Sequence, residues 1–477
     1  MMIRYIKICQ LAGLLILLTY TVACGNGTHS ESEGTAAKAT EVAATTDTVP
    51  EAFETGKLIP HIVCKSDPSQ SYALYIPAKG GHDSLPVIYF FDPHGDGTLP
   101  VAKYRTLADH YNFILIGSNN SKNGNDWTTT ENSWNILSFD TKKRLRINVS
   151  RIYTCGFSGG AKVAGYVALN HTGIKGVIAG GAALPDATAP GDFRFSFTAI
   201  AGEGDMNMTD LVAFNAALDK TQTTHRIIFF DGKHEWCPES TMNVAVTALQ
   251  FDAMREKLIP KDDAFITKYS VVCKKRINDY LQANNYIKAE AECRLSVAML
   301  NGLSNTVNEF IQKDASLKNN AVFQKQWQAR QELLTAEQKM KALYSQQFQQ
   351  ADVNYWVNAI HDLQTKANAT TAEGAMNQRL LAYLSLAFYS ISNQLINSHR
   401  DEEARHFVEL YKLDDAANPE AWYFSAILNA RNGNAKAVKD DLQMAVQNGF
   451  SDKDRLEHQP EFQNTQIDLS EIERKMK

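Results

Sequence analysis

The chain has 477 residues, more than one ordinary domain holds, which points to two or three domains. Its 44% hydrophobic and 21% charged residues belong to a globular protein with buried cores and exclude a chain that stays unfolded. The formal net charge of −5 leaves no basic surplus for a phosphate backbone and argues against nucleic acid as a partner.

Arg4 and Lys7 precede an apolar run from Leu11 to Leu18, and Thr21-Val22-Ala23-Cys24 follows. A run this short falls below the roughly 20 residues of a membrane span and reads as a signal peptide over residues 1–23. The cysteine at the cut resembles a bacterial lipoprotein signal, with Thr21 departing from the usual leucine. That resemblance implies lipidation of Cys24 and a lipid-anchored protein of the bacterial cell envelope. Residues 24–56, rich in Ala, Thr, Glu and Gly, read as a flexible tether. Cys64, Cys155, Cys237, Cys273 and Cys293 remain; the number is odd, so at least one is free or pairs outside the chain, and Cys273 with Cys293 is the most plausible pair. No cysteine–histidine spacing resembles a zinc site, and no metal or other cofactor is expected.

Residues 57–258 alternate strand-like and helix-like stretches. The runs Tyr72–Ile76, Val87–Phe91, Phe113–Ile116, Arg151–Cys155, Gly176–Ala179, Phe197–Ala201 and Arg226–Phe230 are continuously apolar, as strands buried on both faces are. Helical spacing between them, as in Ala161–Asn170 and Met242–Met254, predicts an α/β domain with a mostly parallel sheet and helices on both faces. Residues 259–477 show helical spacing only and predict a separate all-helical domain. Within it Ala421 and Trp422 open a helix that Gly433 ends, and Phe388 stands thirty-four residues before Trp422, followed by Ser392 and Ala404. Residues 380–450 thus resemble tetratricopeptide repeats, which implies a surface for a protein partner; a plain packed helical domain is the alternative.

The chemistry centres on Gly156-Phe157-Ser158-Gly159-Gly160. A strand precedes this motif and a helix follows it, the setting of a nucleophile elbow, and the glycines leave room where a strand turns sharply into a helix. A serine needs a general base. His234 follows the strand Arg226–Phe230, and Asp205 follows the strand ending at Ala201, so the order is Ser158, Asp205, His234. Both lie past the C-terminal ends of strands, where open α/β sheets place their sites. Asp231, Asp192 and Asp210 are the rival acids; His110, His171 and His225 look peripheral. For an oxyanion hole, the backbone N–H of Gly159 is one donor. The loop Asp92–Gly97 supplies a second, from Asp96 or alternatively Gly95.

The phrase from Arg151 to Gly160, with these partners, resembles the α/β-hydrolase superfamily over residues 57–256, in the style of secreted polyhydroxybutyrate depolymerases and feruloyl esterases. Gly159 departs from the side chain often found after the serine. The resemblance implies a serine esterase acting through an acyl-enzyme. The short span between Ser158 and Asp205 leaves no room for a large lid, which favours a bulky or glycan-linked ester. The amide-rich loop Gly117–Gly124 with Trp127 and Trp134 fits a sugar-binding surface, and fits an ordinary polar loop with buried anchors better. Two alternatives stand beside this: a serine peptidase of the same fold, and a lipid-anchored repeat scaffold with a vestigial hydrolase domain.

Overall fold

The structure is a computed structural model that describes residues 50–80, 83–368, 370–465 and 467–476. The expected signal peptide, the lipidation site Cys24 and the tether as far as residue 49 lie outside the described residues. The end of the expected tether is docked, not free: Glu51 donates its N–H to the Arg144 carbonyl, and its carboxylate accepts from the Arg144 guanidinium. Two compact units are present. Of the described residues, one comprises 50–336 together with 366–382; the other comprises 337–365 and 383–476. No helix among the described residues is long and apolar enough to cross a membrane.

The first unit holds one eight-stranded sheet: β1 (Leu58–Val63), β2 (Ser71–Tyr75), β3 (Leu85–Phe91), β4 (Ile114–Ser118), β5 (Ile147–Phe157), β6 (Ile174–Gly180), β7 (Ser196–Gly202) and β8 (His225–Phe230). Their spatial order is β1-β2-β4-β3-β5-β6-β7-β8. β2 pairs antiparallel with both neighbours, and every pairing from β4 through β8 is parallel. This order and polarity are those of the α/β-hydrolase fold. The exposed edge strand β1 carries no continuous apolar run and was not foreseen.

The continuous apolar runs have a simple cause. Successive strand residues point to opposite faces, so Ile88 and Phe90 enter one core while Val87, Tyr89 and Phe91 enter the other. The first face is covered by α1 (Thr98–Tyr111) and α5 (Glu239–Arg255), the second by α2 (Trp127–Arg144), α3 (Gly159–Asn170) and α4 (Met208–Leu218). The unit does not stop at residue 258. Helices α6 (Asp263–Gln282), α7 (Tyr286–Leu300) and α8 (Val307–Lys318) bury Ile266, Tyr269, Leu300 and Phe310 in the same core as Phe251 and Met254 of α5. Tyr269 meets Phe251 edge-on at 5.1 Å.

The expected Cys273–Cys293 bridge is absent, and both thiols are free and buried. The Cys273 sulfur instead accepts from the Arg276 guanidinium at 3.5 Å. Cys64, Cys155 and Cys237 are likewise free and buried.

In the second unit Tyr344, Phe348, Trp356 and Phe388 form one aromatic cluster. Helices Pro419–Arg431 and Ala435–Gln447 are separated by Gly433 at φ +70°, and their starts are capped by Asn418 and Asn434. Phe388, Ser392, Ala404 and Ala421 are fully buried packing residues.

Candidate active site

β5 ends at Phe157, and Ser158 sits on the turn into α3 at φ +53°, ψ −122°. A non-glycine residue there is strained, and such strain persists only where the surroundings impose it. They do: the Ser158 N–H donates to the Gly180 carbonyl at 2.8 Å, and its own carbonyl accepts from Ala161. A Cβ on Gly156 would strike the Gly160 carbonyl, and one on Gly160 would strike the carbonyl of Phe91. The glycines therefore let β5, the start of α3 and the loop after β3 close on one another. The helix N-terminus beneath Ser158 favours negative charge at that point.

His234 lies in the loop after β8, with Nε2 2.9 Å from Ser158 Oγ and Nδ1 3.0 Å from Asp205 Oδ1. Asp205 lies in the turn after β7 and is 1% exposed. Its Oδ1 also accepts the Asn207 N–H at 2.8 Å, and Asn207 Nδ2 donates to Gly181. The carboxylate thus requires a proton on Nδ1, which leaves Nε2 to accept from the serine hydroxyl. The imidazole packs on the Phe157 ring at 4.7 Å and against Gly181, where a Cβ would touch it. The two loops are tied together: Gly204 N–H donates to Gly232 O, and Glu203 N–H to Phe230 O.

The rival acids are engaged elsewhere. Asp231 pairs with Lys288, Asp192 accepts the Gln222 N–H, and Asp210 lies in the first turn of α4. His171 bonds Glu131, His225 bonds Asn215, and His110 lies against Tyr111.

Of the oxyanion candidates, Gly159 opens α3. Gly95 corrects the expectation: its N–H is committed to the Asp92 carbonyl at 3.1 Å. The Asp96 N–H has no partner among the described residues, while the Asp96 carboxylate accepts from Thr98 and Leu99 at the start of α1. The loop hangs on Asp92, a buried carboxylate that sequence reasoning passed over. Asp92 accepts the His94 N–H and the Trp236 indole N–H, both at 2.8 Å, and so joins the loop after β3 to the one carrying His234. Burial pushes its carboxyl up, but the donors of His94 and Trp236 outweigh this and hold it below the usual carboxylate range.

Trp134 is core, set edge-on to Tyr89, whereas Trp127 is 45% exposed and stacks on Tyr166 at 4.7 Å. Residues 181–195, between β6 and β7, contain no helix. Among the described residues no cluster of His, Cys, Asp and Glu is arranged to hold a metal ion.

No protein-family model matches the chain, and no curated protein does. Solved structures similar to it include a hyperthermophilic esterase from the archaeon Pyrobaculum calidifontis, at 11% identity and TM-score 0.34, covering 42% of this chain and 85% of that one. An S-formylglutathione hydrolase from Agrobacterium tumefaciens aligns at 15% identity and TM-score 0.31, covering 38% and 88%. An acylaminoacyl peptidase from Pyrococcus horikoshii aligns at 12% identity and TM-score 0.29, covering 39% of each chain.

Proposed function

We propose that this chain is a serine hydrolase cleaving carboxylic esters through an acyl-enzyme. The observation that carries the reading is the hydrogen-bonded series Ser158 Oγ, His234, Asp205, with the serine held on a strained turn at a helix N-terminus. Ser158 Oγ adds to the ester carbonyl carbon while its proton passes to His234 Nε2. The carbonyl π pair moves to oxygen, where the N–H groups of Gly159 and Asp96 receive it. Collapse expels the alcohol, which takes the proton from His234, and water then repeats the sequence on the acyl-enzyme. Asp205 fixes the imidazole through Nδ1 and stabilises the charge it takes up. Each preorganised donor contributes about 3–4 kcal/mol to the transition state in such sites.

A bulky or glycan-linked ester is the substrate class we favour, because the β6–β7 connection carries no helix to roof the serine. The lipid anchor at Cys24, and a protein partner for the repeat-like residues 380–450, belong to the same proposal. The test is turnover of acetyl, feruloyl and short-chain esters beside peptide substrates, with Ser158→Ala as control. Ester turnover lost in Ser158→Ala supports the reading; Ser158-dependent cleavage of peptides alone replaces it with a peptidase.

A further inference from the structure

The loop after β4 has four asparagines, and three of them build it. Asn119 accepts from Gly97 and donates to Pro60 and Ser71; Asn120 joins Ser69 and Ser71; Asn125 donates to the Asn120 carbonyl. The fourth, Asn123, is fixed only through its backbone: its N–H donates to the Pro93 carbonyl at 2.8 Å, beside the bridge between His94 and Lys122. Its side-chain amide has no hydrogen-bond partner among the described residues, and the residue as a whole is exposed. That amide lies on Gly159, where a Cβ built on the glycine would collide with Oδ1 and stand 3.5 Å from Nδ2. Asn123 therefore fills the place left by the missing side chain after the nucleophile. It does so beside a proposed oxyanion donor and on a loop clipped to the one that carries Asp96.

Resting on the esterase reading above, we propose that the Asn123 carboxamide is a third donor to the oxyanion formed at Ser158. An amide turned about its Cβ–Cγ bond presents Nδ2 where Oδ1 now stands, with no change in shape. An amide with no partner in the protein, on a loop that its backbone clips in place, donates to the developing charge without breaking a hydrogen bond within the protein. It also gives a reason for glycine at 159: any side chain there displaces the asparagine.

The experiment uses the full chain, an ester substrate and a boronic acid as tetrahedral mimic. Asn123→Ala is expected to melt like wild type and to lose on the order of 10²-fold in kcat with KM little changed. Boronate affinity falls by a similar factor. Asn123→Asp, isosteric but unable to donate when ionised, loses at least as much. Gly159→Ala alone costs a comparable factor, and adding it to Asn123→Ala costs little more, because both remove one interaction. An Asn123→Ala enzyme within about threefold of wild type in kcat, with unchanged boronate affinity, overturns the role, as do fully additive losses. A wild type that hydrolyses no ester instead overturns the esterase reading, and this inference with it.

Discussion

The tightest constraint on Ser158 is its own backbone. At φ +53° a Cβ-bearing residue is strained by about 1–3 kcal/mol, and the hydrogen bond to Gly180 and the packing of Gly156 and Gly160 hold it there. The two inactive variants should therefore differ in stability. Ser158→Gly, which relieves the strain, should be about 1 kcal/mol more stable than Ser158→Ala, which keeps it. Chemical denaturation checks this, and equal stabilities would mean the turn is relaxed. Ser158, Asp205 and His234 could be placed from sequence because each follows an apolar strand. Asp92 and Asn123 could not. An aspartate or asparagine in a polar loop looks the same whether it faces water, a tryptophan indole or a glycine Cα.

Between elements, a buried charge contact joins β8 to α5. Arg226 and Asp252 form two hydrogen bonds of 2.8 Å, and both are nearly fully buried. Burial pushes the Asp252 carboxyl up, but Arg226 and Arg255 hold it below the usual range. Asp252→Ala leaves Arg226 charged in the core, and Arg255 without its carboxylate, and should cost about 3–5 kcal/mol in urea denaturation, whereas pairing Arg226→Met with Asp252→Leu should recover the part due to Arg226. An equal loss in the double variant would refute the electrostatic cause. In the second unit, the helix Asp401–Asp414 ends on a carboxyl whose two oxygens are buried with no partner among the described residues. Burial and the neighbouring Asp415 raise the Asp414 pKa well above the ordinary value. A raised carboxyl favours the fold when protonated, so its contribution is complete below the unfolded pKa of about 3.9 and is lost as pH rises through the folded value. Asp414→Asn should raise the melting temperature at about pH 8 and lose that advantage toward about pH 4. A pH-independent difference would rule out titration of Asp414 as the cause. The strands were legible because burial on both faces writes an unbroken apolar run, and β1 was not, because an exposed edge strand needs none.

For the whole chain, helical periodicity past residue 258 marks helices but not what they pack against. α6, α7 and α8 look like the start of a separate domain, yet they close the core over α5. A fragment ending at residue 258 should therefore expose Phe251 and Met254 and be insoluble or molten, whereas a stable, cooperative fragment would restore the boundary expected from the sequence. Covalent labelling reads directly the nucleophilicity of one oxygen atom among 477 residues. A fluorophosphonate probe followed by peptide mass spectrometry should find a single adduct on Ser158 of the folded chain, absent from Ser158→Ala and strongly slowed in His234→Ala. A folded wild type that takes no label, or takes it on another residue, would contradict the account.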